Sequence, residues 1–288
     1  MSRLPASGAS ASSTNVLRVG AVMYDPKVSV IWEIIRDFFE SQGAPIDVTF
    51  YASYERQVTA LVDGGIDIAW NSPLAWLDAQ RRSGGTCRAV AMRDTDRDRV
   101  THLVGRRNGP VRSVSNLRGR VIALGAVDSP QARLIPLGLL RRHGLAPGTD
   151  VRIRGFDVMV GKHGDHVGGE LDAFRSVERN EADACAMLDL NWEGWLRDGT
   201  IDPHEFGIVD STDRFDHCVF TVRGDLDGQT EARWLEALFS MRYDEPAHQE
   251  MMDLEGLKAW MPGRTTGFQA LTAAVDAERF FEGGPSSA

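Results

Sequence analysis

The residues most able to do chemistry in this chain are its histidines. His163 and His166 lie in a glycine-rich stretch, GKHGDHVGGE, with Asp165 between them and Glu170 closing it. His217 sits beside Cys218, and His102 lies in a short apolar run. Two or three imidazoles with one carboxylate make the ligand set of a catalytic Zn or non-haem Fe site. A metal here would be held by His163, His166 and His217, with Glu170 or Asp165 as the oxygen ligand. With three of these as ligands, one position would stay open for water or substrate. Two other readings stand beside this one: the histidines hydrogen-bond a polar ligand directly, or they are solvated loop residues. His217 and Cys218 do not read as a catalytic pair, because neighbours on a strand point to opposite faces. Cys218 is expected in the core.

A second set is defined by position. Val121–Val127 is an apolar run that reads as a buried parallel strand. Asp128-Ser129-Pro130 breaks it. Ser129 is a good N-cap, Pro130 fits the first helical position, and Gln131–His143 follows as a helix closed by Gly144. A strand running into a helix N-terminus aims free N–H groups and a positive dipole end into a crevice. Open α/β sheets bind ligands beyond the carboxyl ends of their strands. Tyr24, Asn71, Ser72, Ser129, Gln131 and Asp189 each follow or end a predicted strand, so these are the expected ligand contacts, joined by His102 and His217. No G-x-S-x-G surrounds Ser129, which argues against a nucleophile there.

The elements that must position these residues alternate. Val16–Met23, Ile46–Tyr51 and Ile66–Trp70 read as strands. Between them, Val30–Gln42 and a segment capped by Ser53 read as helices, and Pro73 opens another. Val100–Arg107 is a lone strand with turn chemistry on both sides. Val151–Val160, Ala182–Leu190, Phe206–Asp210 and His217–Val222 are further strands, Glu170–Arg179 is a helix, and Glu231–Glu282 reads as mainly helical. This is an α/β fold with a mostly parallel sheet.

Bulk properties narrow the function. The 288 residues favour two lobes over one core. The net charge is −9, and no basic patch interleaves with aromatics, so nucleic acid is not expected as a partner. No apolar run approaches the roughly 20 residues of a membrane span. Three cysteines without a CxxC predict no disulfide framework. Residues 1–15 form a Ser/Ala-rich tail, expected to be disordered, with neither an apolar export core nor a cysteine for lipid attachment. As written, the chain is expected in the cytoplasm; a chain that has lost a leader would be periplasmic or extracellular.

Several segments taken together resemble the substrate-binding proteins of phosphate/phosphonate ABC transporters. They are VGAVMYDP at Val19–Pro26, YERQVTALVDGGIDIAWNSPLAWL at Tyr54–Leu77, LRGRVIALGAVDSPQARLIP at Leu117–Pro136, DAFRSVERNEADACAML at Asp172–Leu188 and FDHCVFTVRGDL at Phe215–Leu226. The resemblance implies the type 2 periplasmic-binding-protein fold, two α/β lobes with two hinge crossings. The crossings would be the strands Thr101–Arg107 and Cys218–Arg223. Lobe 1 would be residues 16–103 with 218–288, and lobe 2 residues 104–217. Ligand would sit between lobes that close by hinge motion. The implied function is binding of a small oxyanion or polar metabolite, phosphonate-like, with an ABC permease as partner. One departure stands out. The family's helix-opening loop is rich in Ser and Thr, whereas here it reads Asp128-Ser129-Pro130-Gln131. An ionised Asp128 would repel a phosphate, and Pro130 supplies no donor. The alternative is a cytoplasmic lyase- or decarboxylase-like enzyme on the same fold, using Zn or Fe.

Overall fold

A computed structural model of the chain describes residues 16–163 and 169–282. The chain builds two sheets. The first uses β1 (Leu17–Val22), β2 (Ile46–Tyr51), β3 (Ile68–Asn71), β4 (Arg88–Arg93), β10 (Val219–Val222) and β11 (Trp260–Pro262), in the order β11-β4-β10-β3-β1-β2. The second uses β5 (Thr101–Arg106), β6 (Val121–Leu124), β7 (Arg152–Gly155), β8 (Ala184–Leu188) and β9 (Phe206–Ser211), in the order β7-β6-β8-β5-β9. Each has a parallel core, β2-β1-β3 and β7-β6-β8. Each also takes in an antiparallel strand from beyond a crossing: β10 against β3 and β4, and β5 against β8 and β9. This is the two-lobe α/β architecture expected of the type 2 fold.

Helices cover the sheets for reasons readable in their spacing. In α1 (Lys27–Ser41), Val28, Ile31, Trp32, Ile35 and Phe39 form one buried stripe. Phe39 stacks on Trp234 of α7 (Gly228–Phe239), centroids 5.6 Å apart. Ser53 caps α2 (Tyr54–Val62), accepting from Arg56 N at 3.4 Å; Ser72 caps α3 (Pro73–Arg82), accepting from Ala75 N at 3.1 Å. Ser129 caps a π-helical turn, Pro130–Leu134, that runs into α4 (Ile135–Arg142). In the second lobe α5 (Glu170–Glu178) and α6 (Asp189–Arg197) flank β8. The C-terminal part adds α8 (Pro246–Glu255) and α9 (Gln269–Glu278). The buried Leu271, Ala274 and Val275 of α9 pack with Leu74 of α3 and with Ile135 of α4, so this helix straps both lobes.

The crossings fall one segment away from where the sequence places them. Thr101–Arg106 and Val219–Val222 lie wholly inside sheets, and the chain passes between lobes at 94–100 and 212–218. The two passages run side by side: Arg99 and Phe215 exchange backbone bonds of 2.7 and 2.8 Å, and His217 N donates to Asp96 O at 2.7 Å. The reason is that β5 and β10 pair with strands far away in sequence, a partnership invisible to local pattern. For the same reason β4 and β11 were not anticipated. The strand at Val151–Val160 shortens to Arg152–Gly155.

Candidate functional site

The carboxyl ends of β2, β3 and β6 each lead into a serine-capped turn, at Ser53, Ser72 and Ser129. These helix N-termini supply backbone donors and positive dipole ends. Across them lies a short stretch of the second lobe, Gly161–His163. Gly161 O accepts from Tyr54 N at 3.0 Å, and Lys162 Nζ donates to Met23 O at 2.5 Å. His163 Nδ1 and Ser72 Oγ are hydrogen-bonded at 2.5 Å, and the His163 ring stacks on Tyr54 at 4.8 Å. The two lobes therefore meet through a Ser–His–Tyr cluster with a lysine alongside. Asp128 faces this stretch too: its Oδ2 accepts from Gly161 N at 2.6 Å. Burial pushes the Asp128 carboxyl above its usual pKa, though Gly161 N–H pulls the other way.

A pocket of about 240 Å³ lies next to the crossings, bounded by both lobes. Its polar lining includes Lys27, Arg99, Gln131, Asn191 and His217, together with the acids Asp96 and Glu255. Arg99 pairs with Asp189, Nη1 to Oδ2 3.4 Å. Deeper in, Arg93 is only 5% exposed and holds two carboxylates. Its Nε and Nη2 donate to Asp96 at 2.6 and 2.9 Å, and Nη1 donates to Glu255 Oε2 at 2.9 Å. Burial alone would raise the Asp96 pKa, but Arg93 and His217 more than offset it and hold this carboxyl well below the usual range.

The structure treats the expected residues unequally. Ser72 is in the interlobe cluster, and Gln131 and His217 line the pocket. Ser129 is fully buried as the cap of its turn, accepting from Ala132 N at 3.1 Å. Tyr24 packs half-buried against the first core. Asn71 is fully buried inside the first lobe, accepting from Gln57 at 2.9 Å and donating to Thr221 at 3.0 Å, so it supports β3 rather than facing the cleft. His102 bonds Ser211 at 2.8 Å and meets Trp192 edge-on; Thr101, on the opposite face of β5, is the one that reaches Gln131. Asp189 is held by Arg99.

His166 and Asp165 lie outside the described residues. His163 is engaged with Ser72 and Tyr54, while Glu170 is fully buried, accepting from Leu188 N at 2.9 Å and Asn191 Nδ2 at 2.7 Å. Among the described residues, a different trio, Asp96, His217 and Cys218, brings its ligand atoms within 4.8 Å of one another. His217 Nδ1 and Cys218 Sγ are 3.1 Å apart. The opposite-faces argument failed because residues 212–218 form a crossing and not a strand, so alternation does not apply. Sequence reasoning also passed over Tyr54, Lys162 and Arg99. Tyr54 was findable, since it follows the Ser53 cap at the end of β2.

Comparisons with known proteins agree on the fold. The family described as "ABC transporter, phosphonate, periplasmic substrate-binding protein" matches residues 23–272. A probable ABC transporter phosphite-binding protein, PhnD1 of Prochlorococcus marinus, is 21% identical over 272 residues, covering 90% of this chain and 88% of that protein. The solved structure of PhnD1 from the same organism, in complex with methylphosphonate, superposes with a TM-score of 0.67 at 15% identity, covering 92% of this chain and 99% of the other. XAC2383 from Xanthomonas citri, bound to ATP, gives a TM-score of 0.73 at 20% identity, over 92% and 98% of the two chains. Among the described residues no helix is long and apolar enough to cross a membrane.

Proposed function

The chain belongs to the family of periplasmic substrate-binding proteins of phosphonate ABC transporters, and from that premise we propose that it captures a small phosphorus oxoanion between its lobes and presents it to a membrane permease. The observation that carries this reading is the interlobe cluster of Ser72, His163 and Tyr54, set at capped helix starts with Lys162 beside it. Hydroxyl, imidazole and backbone N–H donors at helix N-termini are the groups an oxoanion needs. A ligand that takes the His163 and Ser72 donors from both lobes at once would favour the closed form. The family's periplasmic setting supports the extracytoplasmic alternative over the cytoplasmic one. It also favours binding over the lyase or decarboxylase alternative.

The ligands named for PhnD1, phosphite and methylphosphonate, are the first candidates, and the ATP named for XAC2383 is the contrasting one. Calorimetric titration with phosphite, methylphosphonate, phosphate and ATP tests this. Saturable binding of one of the first three, with none of ATP, is expected. No heat with any phosphorus oxoanion, or tightest binding of ATP, would refute the reading.

A further inference from the structure

We propose that Asp96, His217 and Cys218 form a binding site for one zinc-class divalent cation at the crossings between the lobes. The site is independent of the oxoanion reading, because none of its three side chains belongs to the Ser72–His163–Tyr54 cluster.

The three ligand atoms are close enough together to share one ion. His217 Nδ1 lies 3.1 Å from Cys218 Sγ and 3.5 Å from Asp96 Oδ1. All three ligand atoms fall within 4.8 Å of one another. With metal–ligand bonds of about 2.0–2.3 Å, the corners of a tetrahedron are about 3.3–3.8 Å apart. The two edges at His217 thus need adjustments of a few tenths of an ångström, and the Asp96–Cys218 edge, at most 4.8 Å, needs to close by no more than about 1 Å. The backbone already fixes the arrangement: His217 N donates to Asp96 O at 2.7 Å, clamping one passage to the other. All three residues are buried, with side-chain exposures of 8% for His217 and 3% for Asp96. Asp96 and His217 also line the pocket of about 240 Å³, which gives an ion an entry path and a solvent ligand at the fourth position.

Charge and donor type point the same way. Arg93, Asp96 and Glu255 form a buried group with one cation and two carboxylates, a net charge of −1. A divalent ion together with a Cys218 thiolate adds +1 and brings the group to zero. The set of one sulfur, one imidazole nitrogen and one carboxylate oxygen suits a borderline-soft ion, not Mg²⁺ or Ca²⁺. Arg93 serves as outer support by orienting the Asp96 carboxylate with two hydrogen bonds. The ion uses the remaining lone pair of Oδ1. On binding, the Cys218 thiol releases its proton to solvent and its sulfur bonds to the metal.

Cobalt(II) is the probe, because it substitutes for zinc and reports its ligands optically. Tag-free full-length protein is stripped with chelator and titrated with Co²⁺. One equivalent is expected to bind, with a thiolate-to-cobalt charge-transfer band in the near ultraviolet and strong visible bands of tetrahedral cobalt. Stoichiometric Zn²⁺ should bleach both. Cys218→Ser should lose the charge-transfer band, His217→Gln should bind cobalt at least ten-fold more weakly, and His163→Ala should keep the cobalt stoichiometry and bands of the wild type. A wild-type protein that binds no stoichiometric cobalt, or binds it without a thiolate band, overturns the proposal, as does loss of the bands in His163→Ala. The wild-type spectrum decides even if a variant fails to fold.

Discussion

His163 and Ser72 reach each other from different lobes, and in the proposed function both donate to one anion. A hydrogen bond to a charged group contributes about 1.5–3 kcal/mol. His163→Ala and Ser72→Ala are each expected to weaken oxoanion binding about 10- to 100-fold by calorimetry. His102→Ala, whose ring bonds Ser211 and meets Trp192, should leave affinity unchanged. If all three variants bind like wild type, the interlobe cluster is not the ligand site. Glu170 poses a different question at the same scale. Burial raises its pKa above the usual value of about 4.3, although Asn191 and Leu188 N–H oppose the shift. A raised acid pKa means the folded state holds the proton more tightly than the unfolded one. Glu170 therefore costs stability as the pH rises through its folded-state pKa, and costs nothing below the unfolded value. One oxygen, Oε2, accepts from both Leu188 N and Asn191 Nδ2, so a glutamine keeps both contacts without the charge. Glu170→Gln should melt above wild type at pH 8, and the gap should close near pH 4. A lower melting point at pH 8 would show that the ionised form is the stabilised one.

At the scale of elements, the βα units were legible and the long-range pairings were not. Val16–Met23, Ile66–Trp70 and Val121–Val127 are largely apolar runs, each followed within two residues by Asp or Ser and then Pro, and local chemistry sets their ends. The caps at Ser53, Ser72 and Ser129 were readable for the same reason. The place of β5 and β10 was not, because their partners lie 80 to 150 residues away and apolar pattern names no partner. Candidate site residues followed suit. Ser72 was found from its position after a strand, whereas Asn71, one residue earlier, points into the lobe and pairs with Gln57 and Thr221. A one-residue step reverses direction at a strand end, and nothing local says where the strand stops. The crossings depend on a contact of this hidden kind. Asp216 accepts from Arg264 at 2.5 and 2.6 Å and from Asp98 N at 3.1 Å, joining both passages to the segment before α9. Gly267 packs directly on that carboxylate: a Cβ there would lie 2.0 Å from Asp216 Cγ. Gly267→Ala must displace the buried Asp216 carboxylate from its partly exposed partner Arg264, an overpacking cost of about 1–3 kcal/mol. Urea denaturation should show that loss; an unchanged midpoint would mean that the strap shifts freely.

For the whole molecule, the question is how the two lobes are balanced between open and closed. At the back, α9 packs on both α3 and α4, and the crossings run side by side. At the front, Gly161–His163 reaches across with three hydrogen bonds, to Tyr54 N, Met23 O and Ser72 Oγ, and one ring stack. At about 1 kcal/mol net for each bond, these contacts favour the closed arrangement by about 3 kcal/mol, a factor of roughly 150 in population. Removing Lys162 and His163 side chains together should therefore loosen the front without touching the back. By small-angle X-ray scattering the ligand-free double variant, Lys162→Ala with His163→Ala, should show a larger radius of gyration than ligand-free wild type. Its residual binding should be weaker than the loss of the His163 contact alone explains, because closure must now be driven by the ligand. Lys162→Ala alone separates the two effects, since its amine bonds a backbone carbonyl of the other lobe. It should expand the free protein less than the double variant does. Equal radii for all three free proteins would show that the strap and the crossings, and not the Gly161–His163 stretch, hold the lobes together.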